Sequence, residues 1–313
     1  MTIYFKKVVA GTIFGDLHAF DQNLVLIKNI SGAHTGFITQ VLTLSNGNIA
    51  TCNSHSYNFS VKIWNPTNNA WTLVTTFFKH SQGIYGLEEI SNTTIASGDL
   101  GGSIYLWLNN NGTITQNFIN SAGVMCLRLL KSGYLAIGSG PSVFSIGIWN
   151  YTSKTVFKTL TGHTDYANYL LEINTNLLAS ASRDFTIIIW DLTAYTLKYK
   201  LIGHKSYVNI LTLITYDILA SGSSDNTVKL WNTTNWTLIT NLTSNTAAIF
   251  RSISLYSNDI FVTGGTDKTL RLWQISTLQL INTTSTNNIS IASLNTYETS
   301  KFNLILKIFQ YFL

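Results

Sequence analysis

Six of the eight tryptophans recur at almost equal intervals along this chain of 313 residues. The intervals between them are 43, 42, 41, 41 and 42 positions. The residues concerned are Trp64, Trp107, Trp149, Trp190, Trp231 and Trp273. A period of about 20 to 50 residues is typical of folds that repeat one supersecondary unit. The chain is therefore expected to fold as a series of similar units.

Each tryptophan ends a short strand-like run, for example Ile187–Trp190 and Val228–Trp231. Runs rich in β-branched and aliphatic residues between polar turns favour strands. The interval between tryptophans also repeats: a histidine, an apolar strand, a turn, a strand of small residues, a polar turn and the tryptophan strand. In the clearest unit this order runs from His204 to Trp231, and Leu238–Leu242 adds another strand. Four strands in one unit indicate a blade of a β-propeller.

The repeat resembles the WD40 family. The resemblance spans nearly the whole chain and includes the spacing Ser-x-x-x-Asp-x5-Trp. The residues that carry it most clearly are the pairs Gly162-His163, Gly203-His204 and Trp190-Asp191. It implies an all-β propeller, most often of seven four-stranded blades, which presents a loop-ringed face to a protein or peptide partner.

Because the tryptophans mark six blades, the seventh is expected to combine both ends of the chain, from residues 8–30 and 289–313. We expect two strands from each end. The amino-terminal pair would be Thr12–Asp16, with Gly15 in the place of tryptophan, and Leu24–Ile30. The other pair would be Ile289–Leu294 and Phe302–Phe309. No linker-like segment interrupts the repeat, which predicts one domain over residues 1–313.

Two blades share a set of four side chains with identical spacing. The sets are His163, Ser180, Asp184 and Trp190, and His204, Ser221, Asp225 and Trp231. Ser, His and Asp also form hydrolytic triads, but one triad in each repeat is not expected of an enzyme. The resemblance implies a structural tetrad instead, in which the indole N–H donates to Ser, Ser bonds His and His bonds Asp. In the first and second blades, Asn58 and Gly101 stand where Asp is expected.

Partners of this family often contact the residues just after the histidine loop and just before the turn aspartate. By position, the candidate partner-binding residues are Phe37, Tyr85, Tyr166, Asn168, Arg183, Tyr207, Asn209 and Arg251. Tyrosine and arginine are enriched at the energetic centres of interfaces. We therefore predict one patch from Tyr166, Arg183 and Tyr207, which belong to adjacent blades.

Composition excludes several other classes of function. The net charge of +5 comes without a basic stripe, so direct binding of nucleic acid is not expected. Cys52 and Cys126 lie far apart without a Cys/His cluster, so neither a metal nor a cofactor is expected. No apolar run reaches the roughly 20 residues of a membrane span. Two lone thiols fit a reducing compartment, which favours the cytoplasm, with the nucleus as the alternative.

These observations predict a non-catalytic scaffold or adaptor, a monomeric propeller within a larger complex. One alternative is a propeller module detached from a larger signalling or ubiquitin-ligase-type protein. A propeller enzyme is less favoured, because it would need unrepeated acids or histidines that converge on the central channel.

Overall fold

The computed structural model describes residues 6–21, 23–54, 58–67, 71–140, 143–243, 247–249, 252–286 and 290–298. In these residues the chain forms strands grouped into seven four-stranded antiparallel sheets. The innermost strand of each sheet packs against the innermost strands of both neighbouring sheets, so the ring closes. The predicted all-β, seven-bladed propeller is confirmed. No helix among the described residues has the length and apolar character needed to cross a membrane.

The blades are numbered in chain order, and the strands of each are given from the channel outwards. The closing blade, blade 7, contains the first three strands of the chain, which are β1 (Lys6–Thr12), β2 (Leu17–Phe20) and β3 (Leu26–Ile30). Blade 1 is formed by β4 (Ile38–Thr43), β5 (Ile49–Asn53), β6 (Val61–Asn65) and β7 (Thr72–Phe77). Blade 2 is formed by β8 (Ile84–Ser91), β9 (Thr94–Asp99), β10 (Ser103–Leu108) and β11 (Ile114–Ile119).

The next four blades follow the same plan. Blade 3 is formed by β12 (Val124–Leu129), β13 (Leu135–Ser139), β14 (Ile146–Asn150) and β15 (Thr155–Leu160). Blade 4 is formed by β16 (Ala167–Asn174), β17 (Leu177–Ser182), β18 (Ile187–Asp191) and β19 (Thr196–Leu201). Blade 5 is formed by β20 (Val208–Leu213), β21 (Ile218–Ser223), β22 (Val228–Asn232) and β23 (Leu238–Leu242). Blade 6 is formed by β24 (Ile253–Ser257), β25 (Ile260–Gly264), β26 (Thr269–Gln274) and β27 (Leu280–Ser285), and β28 (Ile291–Glu298) completes blade 7.

The hydrophobic core lies between adjacent blades. Trp190, on the third strand of blade 4, packs in one cluster with Ile148 of blade 3 and Leu170 of its own blade. The third strand of blade 4 is buried, whereas the outer strand is exposed along all but its last residue. Burial on both faces explains why Ile187–Trp190 is apolar without interruption, because only a sheet face turned to solvent favours a polar alternation. The equivalent strands of blades 1, 5 and 6 each include one basic residue, which is Lys62, Lys229 or Arg271.

Blade 7 joins the two ends of the described chain, as the sequence predicts, but the predicted division of its strands is wrong. Three strands come from the amino-terminal side and one from the other side, in the order β28, β1, β2, β3. The innermost strand, β28, pairs with β1 over seven residue pairs, including Val8 with Thr296. The predicted second carboxyl-terminal strand, Phe302–Phe309, lies outside the described residues.

The prediction that Gly15 occupies the tryptophan position of blade 7 is also wrong. Residues 13–16 form the turn between β1 and β2, and the hydroxyl of Thr12 at the end of β1 accepts hydrogen bonds from the N–H groups of Phe14 and Asp16. Gly15 has a φ of 91° in this turn, a conformation that favours glycine. Phe20 occupies the position equivalent to the tryptophan. It pairs with Val8 on the second strand of blade 7, just as Trp190 pairs with Leu178 on the second strand of blade 4. Its ring is 2% exposed.

Closure of the ring by β28 predicts different effects for two leucines near the end of the described chain. Leu294 on β28 is 4% exposed and Leu280 on β27 is 39% exposed. We expect Leu294→Ala to reduce the free energy of unfolding by about 2–5 kcal/mol, as for other buried leucines. The matched change Leu280→Ala is expected to cost less than about 1 kcal/mol. Urea unfolding of both variants checks this, and equal losses would contradict the closure.

Candidate functional site

The four-residue sets of blades 4 and 5 form continuous hydrogen-bonded chains. In blade 4, Trp190 Nε1 donates to Ser180 Oγ over 2.8 Å and Ser180 Oγ lies 2.6 Å from His163 Nε2. His163 Nδ1 lies 2.8 Å from Asp184 Oδ2. Blade 5 repeats this geometry, with distances of 2.8 Å for all three contacts. Each set ties the third strand of its blade to the second strand, to the turn and to the loop before the blade.

The electrostatics of the blade 5 set fit an ionised Asp225 beside a neutral His204. Partial burial acts to raise the pKa of Asp225, but hydrogen bonds from His204, Thr227 and a backbone N–H outweigh it and hold the pKa well below its usual range. Burial lowers the pKa of His204, although the nearby Asp225 opposes this effect. His204 therefore donates from Nδ1 to the carboxylate and accepts the Ser221 proton at Nε2. Since Ser221 is fully buried, its hydroxyl is not accessible to a substrate.

Blade 2 contains a complete set that the spacing rule missed. His80 Nε2 lies 2.7 Å from Ser97 Oγ, and His80 Nδ1 lies 2.8 Å from Asp99 Oδ2. Trp107 Nε1 donates to Ser97 Oγ over 2.7 Å. The carboxylate belongs to Asp99, the last residue of β9. The sequence analysis expected it two positions later, where Gly101 stands. A search for any Asp from the end of the second strand onwards, rather than at a fixed spacing, would have found Asp99.

Blade 1 replaces the charged partner with neutral groups. Thr51 Oγ1 accepts from Trp64 Nε1 over 2.9 Å and lies 2.7 Å from His34 Nε2. His34 Nδ1 faces Ser60 Oγ at 3.1 Å, so Ser60 rather than Asn58 takes the predicted place of the aspartate. Burial, together with the positive charge of Lys62, lowers the pKa of His34 to about 3.

Blades 6 and 3 depart further from the pattern. In blade 6, Trp273 Nε1 donates to Thr263 Oγ1 over 3.0 Å, and Asp267 pairs with Arg271 at 2.8 Å. The residue at the histidine position of this blade, Thr246, lies outside the described residues. In blade 3, the buried Ile137 stands at the serine position, and the indole N–H of Trp149 has no acceptor among the described residues. Among the described residues of blade 3, therefore, no side-chain hydrogen bond from Trp149 links the third strand to the loop.

A cavity of about 260 Å³ opens on the face of the propeller that carries these loops and turns. Six predicted partner-binding residues line it: Phe37, Tyr85, Asn168, Arg183, Tyr207 and Asn209. Tyr166 lies next to it, with its ring 4.6 Å from the guanidinium carbon of Arg183. Arg251 lies outside the described residues. A role of this group in partner binding stays a prediction.

The repeat explains why residues so distant in sequence meet at this cavity. The residue five positions after the histidine lies at the start of the inner strand, so the inner strands together surround the channel mouth. Five such residues line the cavity: Thr39, Tyr85, Met125, Asn168 and Asn209. One register position of the repeat therefore becomes a ring of side chains.

Two of the predicted contact residues also have a structural role that sequence reasoning missed. Asn168 Nδ2 donates to the carbonyl oxygen of Val208 in blade 5 over 3.0 Å. Asn209 Nδ2 donates to the carbonyl oxygen of Ile249 over 2.8 Å. Both asparagines are only 8% exposed. Their amide groups link neighbouring blades, which leaves Tyr166, Arg183 and Tyr207 as the more accessible members of the predicted patch.

The described lining of the cavity contains no Asp, Glu or His. A second cavity of about 100 Å³ lies further along the inner strands and includes Glu88 and Arg128, whose Oε1 and Nη1 atoms are 3.4 Å apart. Burial raises the pKa of Glu88, and Arg128 partly offsets this effect. No group of three His, Cys, Asp or Glu residues that could hold a metal ion occurs in the described part of the chain.

Comparisons with known proteins agree with this architecture. Residues 154–191, 195–232 and 236–274 match the WD40 family model, described as "WD domain, G-beta repeat". Each matched segment contains the outer strand of one blade and the three inner strands of the next. The protein is thus a seven-bladed β-propeller, and its resemblance to the WD40-repeat family is confirmed by three consecutive repeats.

Among solved structures, the crystal structure of the computationally designed Ika8 protein is similar, with 22% sequence identity and a TM-score of 0.68. The match covers 94% of this chain and 90% of that chain. At this identity it supports the fold alone. In total 1632 chains of known structure match, so the fold does not by itself select a function. No curated protein sequence matches the chain.

The hydrogen-bonded sets predict different effects for the same change in two blades. Replacing Trp231 with Phe removes the indole N–H that Ser221 accepts, which should cost about 1–3 kcal/mol of unfolding free energy. Trp149→Phe removes an N–H without such an acceptor and is expected to cost less. Chemical denaturation of both variants provides the measurement. A larger loss for Trp149→Phe would argue against a stabilising role of the set.

The lowered pKa of His34 predicts a pH dependence of stability. The unfolded chain protonates this histidine below about pH 6.5, whereas the folded protein does so only near pH 3. Because the unfolded state then binds more protons, the free energy of unfolding falls as the pH decreases through this window. We expect a flatter pH profile for His34→Gln than for the wild type between about pH 7 and 4. Parallel profiles from urea titrations would disprove this assignment.

Proposed function

We propose that the protein is a non-catalytic scaffold or adaptor that binds a partner protein on the face around the 260 Å³ cavity. WD40 propellers commonly mediate protein–protein interactions. The observation that carries the proposal is the convergence of Phe37, Tyr85, Tyr166, Arg183 and Tyr207 at the mouth of one channel. Aromatic and arginine side chains supply much of the binding energy at protein interfaces.

The exposure of these side chains supports the same proposal. Tyr207 is 43% exposed, Phe185 is 42% exposed and Phe144 is 37% exposed. Phe144 packs against Tyr166 with ring centroids 5.8 Å apart, and Phe185 packs against Tyr207 at the same distance. The aromatic surface therefore extends from blade 3 to blade 5. Large aromatic side chains grouped in this way on a surface favour partner contact.

A non-catalytic role fits the chemistry of the described residues. The repeated Ser, His and Asp side chains of blades 2, 4 and 5 bond one another in buried sets. The described cavity lining offers hydroxyl, amide and guanidinium groups but no general base of the usual kinds. The expected cytoplasmic or nuclear location and a monomeric propeller within a complex remain part of the proposal.

Affinity purification with quantitative mass spectrometry tests the proposed face. We expect the wild-type protein to recover a reproducible set of partners and the triple variant Tyr166→Ala, Arg183→Ala, Tyr207→Ala to lose them. A matched control changes two exposed tyrosines and one exposed lysine elsewhere, as Tyr199→Ala, Lys200→Ala, Tyr216→Ala. Melting curves establish that both variants are folded.

The control variant is expected to retain the partners. Loss of partners in both variants, or in neither, would reject this face as the binding surface. If no partner is recovered by the wild-type protein either, the scaffold proposal itself fails.

A further inference from the structure

We propose that the cavity mouth binds an acidic side chain, Asp or Glu, of the partner protein, with an apolar residue next to it in the partner sequence. The group that binds the carboxylate is the guanidinium of Arg183, which lies close to the rings of both Tyr166 and Tyr207. These three residues are called the arginine clamp below. The inference rests on the proposed function, because it specifies what the partner presents to that face.

The contacts of the arginine clamp hold the guanidinium of Arg183 in place but leave its two Nη atoms available to a ligand. Arg183 Nε donates to Asn168 Oδ1 over 3.2 Å. The guanidinium carbon lies 4.6 Å from the ring centroid of Tyr166 and 5.5 Å from that of Tyr207. Neither Nη atom of Arg183 has a hydrogen-bond acceptor among the described residues. A guanidinium held by one hydrogen bond and two aromatic rings is pre-organised for a bidentate contact with a carboxylate.

No described acid neutralises Arg183. The neighbouring Asp184 is turned inwards, where its carboxylate accepts from His163, Thr186 and the N–H of Thr164. Its side chain is only 4% exposed. Since the described cavity lining contains no carboxylate, the charge of Arg183 is left for an external anion.

Arginine is also exceptional at the position directly before the turn aspartate, which Arg183 occupies in blade 4. The residue at this position donates its backbone N–H to the loop before the inner strand, as Arg183 does to the Tyr166 carbonyl oxygen. Equivalent N–H groups in other blades belong to Ser54, Leu100, Gly140, Ser224 and Thr266. Since these residues make the same backbone bond without a charged side chain, the fold does not require the guanidinium.

Phe185 supplies the apolar part of the surface. It has a φ of 68°, in the left-handed region that bulky residues rarely adopt. The equivalent residues Asn226, Lys268 and Gly102 share a positive φ and are less hydrophobic. A strained, 42% exposed phenylalanine beside Tyr207 is unfavourable for the fold alone. Strain of this kind often accompanies a functional contact.

The charge balance favours a carboxylate over a phosphate. Arg183 is the sole cationic side chain in the described lining of the cavity. A phosphoserine carries nearly two negative charges and is typically bound by a cluster of arginines. One guanidinium between two aromatic rings matches a single negative charge.

Synthetic nonapeptide pools test the inference. The pools share randomised uncharged flanks and differ in the central residue, which is Glu, Gln, Lys or phosphoserine. Retention on the immobilised protein is measured by mass spectrometry. We expect the wild type to retain the Glu pool about tenfold more than the Gln pool, as a charge-assisted pair would give. The retained Glu peptides should be enriched in apolar residues next to Glu.

Three variants assign the preference to the clamp. Arg183→Gln is expected to abolish the preference for Glu. Lys200→Gln removes the same charge from the exposed outer strand of blade 4 and is expected to keep it. Phe185→Asn introduces the residue found in blade 5; we expect it to reduce enrichment of apolar neighbours without lowering the melting temperature.

The inference is overturned if the Glu and Gln pools are retained equally, even at background level, or if the preference survives Arg183→Gln. Stronger retention of the phosphoserine pool also overturns it in favour of a phosphate. These outcomes are separable from failure of the proposed function. Partners that are lost in the triple alanine variant would still establish the face, even if no pool showed a preference for Glu.

Discussion

The interior arrangement of the complete blades depends on one interaction, the hydrogen bond that a buried indole N–H donates. In blades 2, 4 and 5 a serine hydroxyl accepts this hydrogen bond. The serine also bonds a histidine, which in turn bonds an aspartate. An unpaired buried polar group is costly, whereas a fully satisfied network rigidifies its surroundings. The network fixes the turn that carries Asp184, and therefore it also fixes the flanking residues Arg183 and Phe185 at the surface.

The same repeat places structural and exposed groups side by side. Arg183 and Asp184 are consecutive, yet one points to the channel mouth and the other bonds His163 inside the blade. Neighbouring blades are linked through the same region, because Asn168 donates to blade 5 while its oxygen accepts from Arg183. The proposed binding surface is therefore supported by contacts between blades, which would limit its rearrangement on binding.

Much of the candidate site was predictable because a repeat turns sequence position into spatial position. Equivalent positions of successive units necessarily form a ring, so Phe37, Tyr85, Arg183 and Tyr207 could be assigned to one face without a structure. Asp99 was missed because a carboxylate two positions earlier reaches the same histidine from the end of the strand. The positive φ of Phe185 and the inter-blade bonds of the asparagines left no sequence signal that local reasoning could use.

The sequence alone determined the strand content and the strand order of six blades, because the regular tryptophans and their strands repeat locally. The seventh blade was expected from the resemblance to the WD40 family. Tertiary structure decided how the ring closes. Three amino-terminal strands and one late strand share blade 7, a pairing between residues almost 300 positions apart that local patterns do not encode. Tertiary structure also decided which polar side chains bond each other, since hydrogen bonds depend on distance and direction in the folded chain.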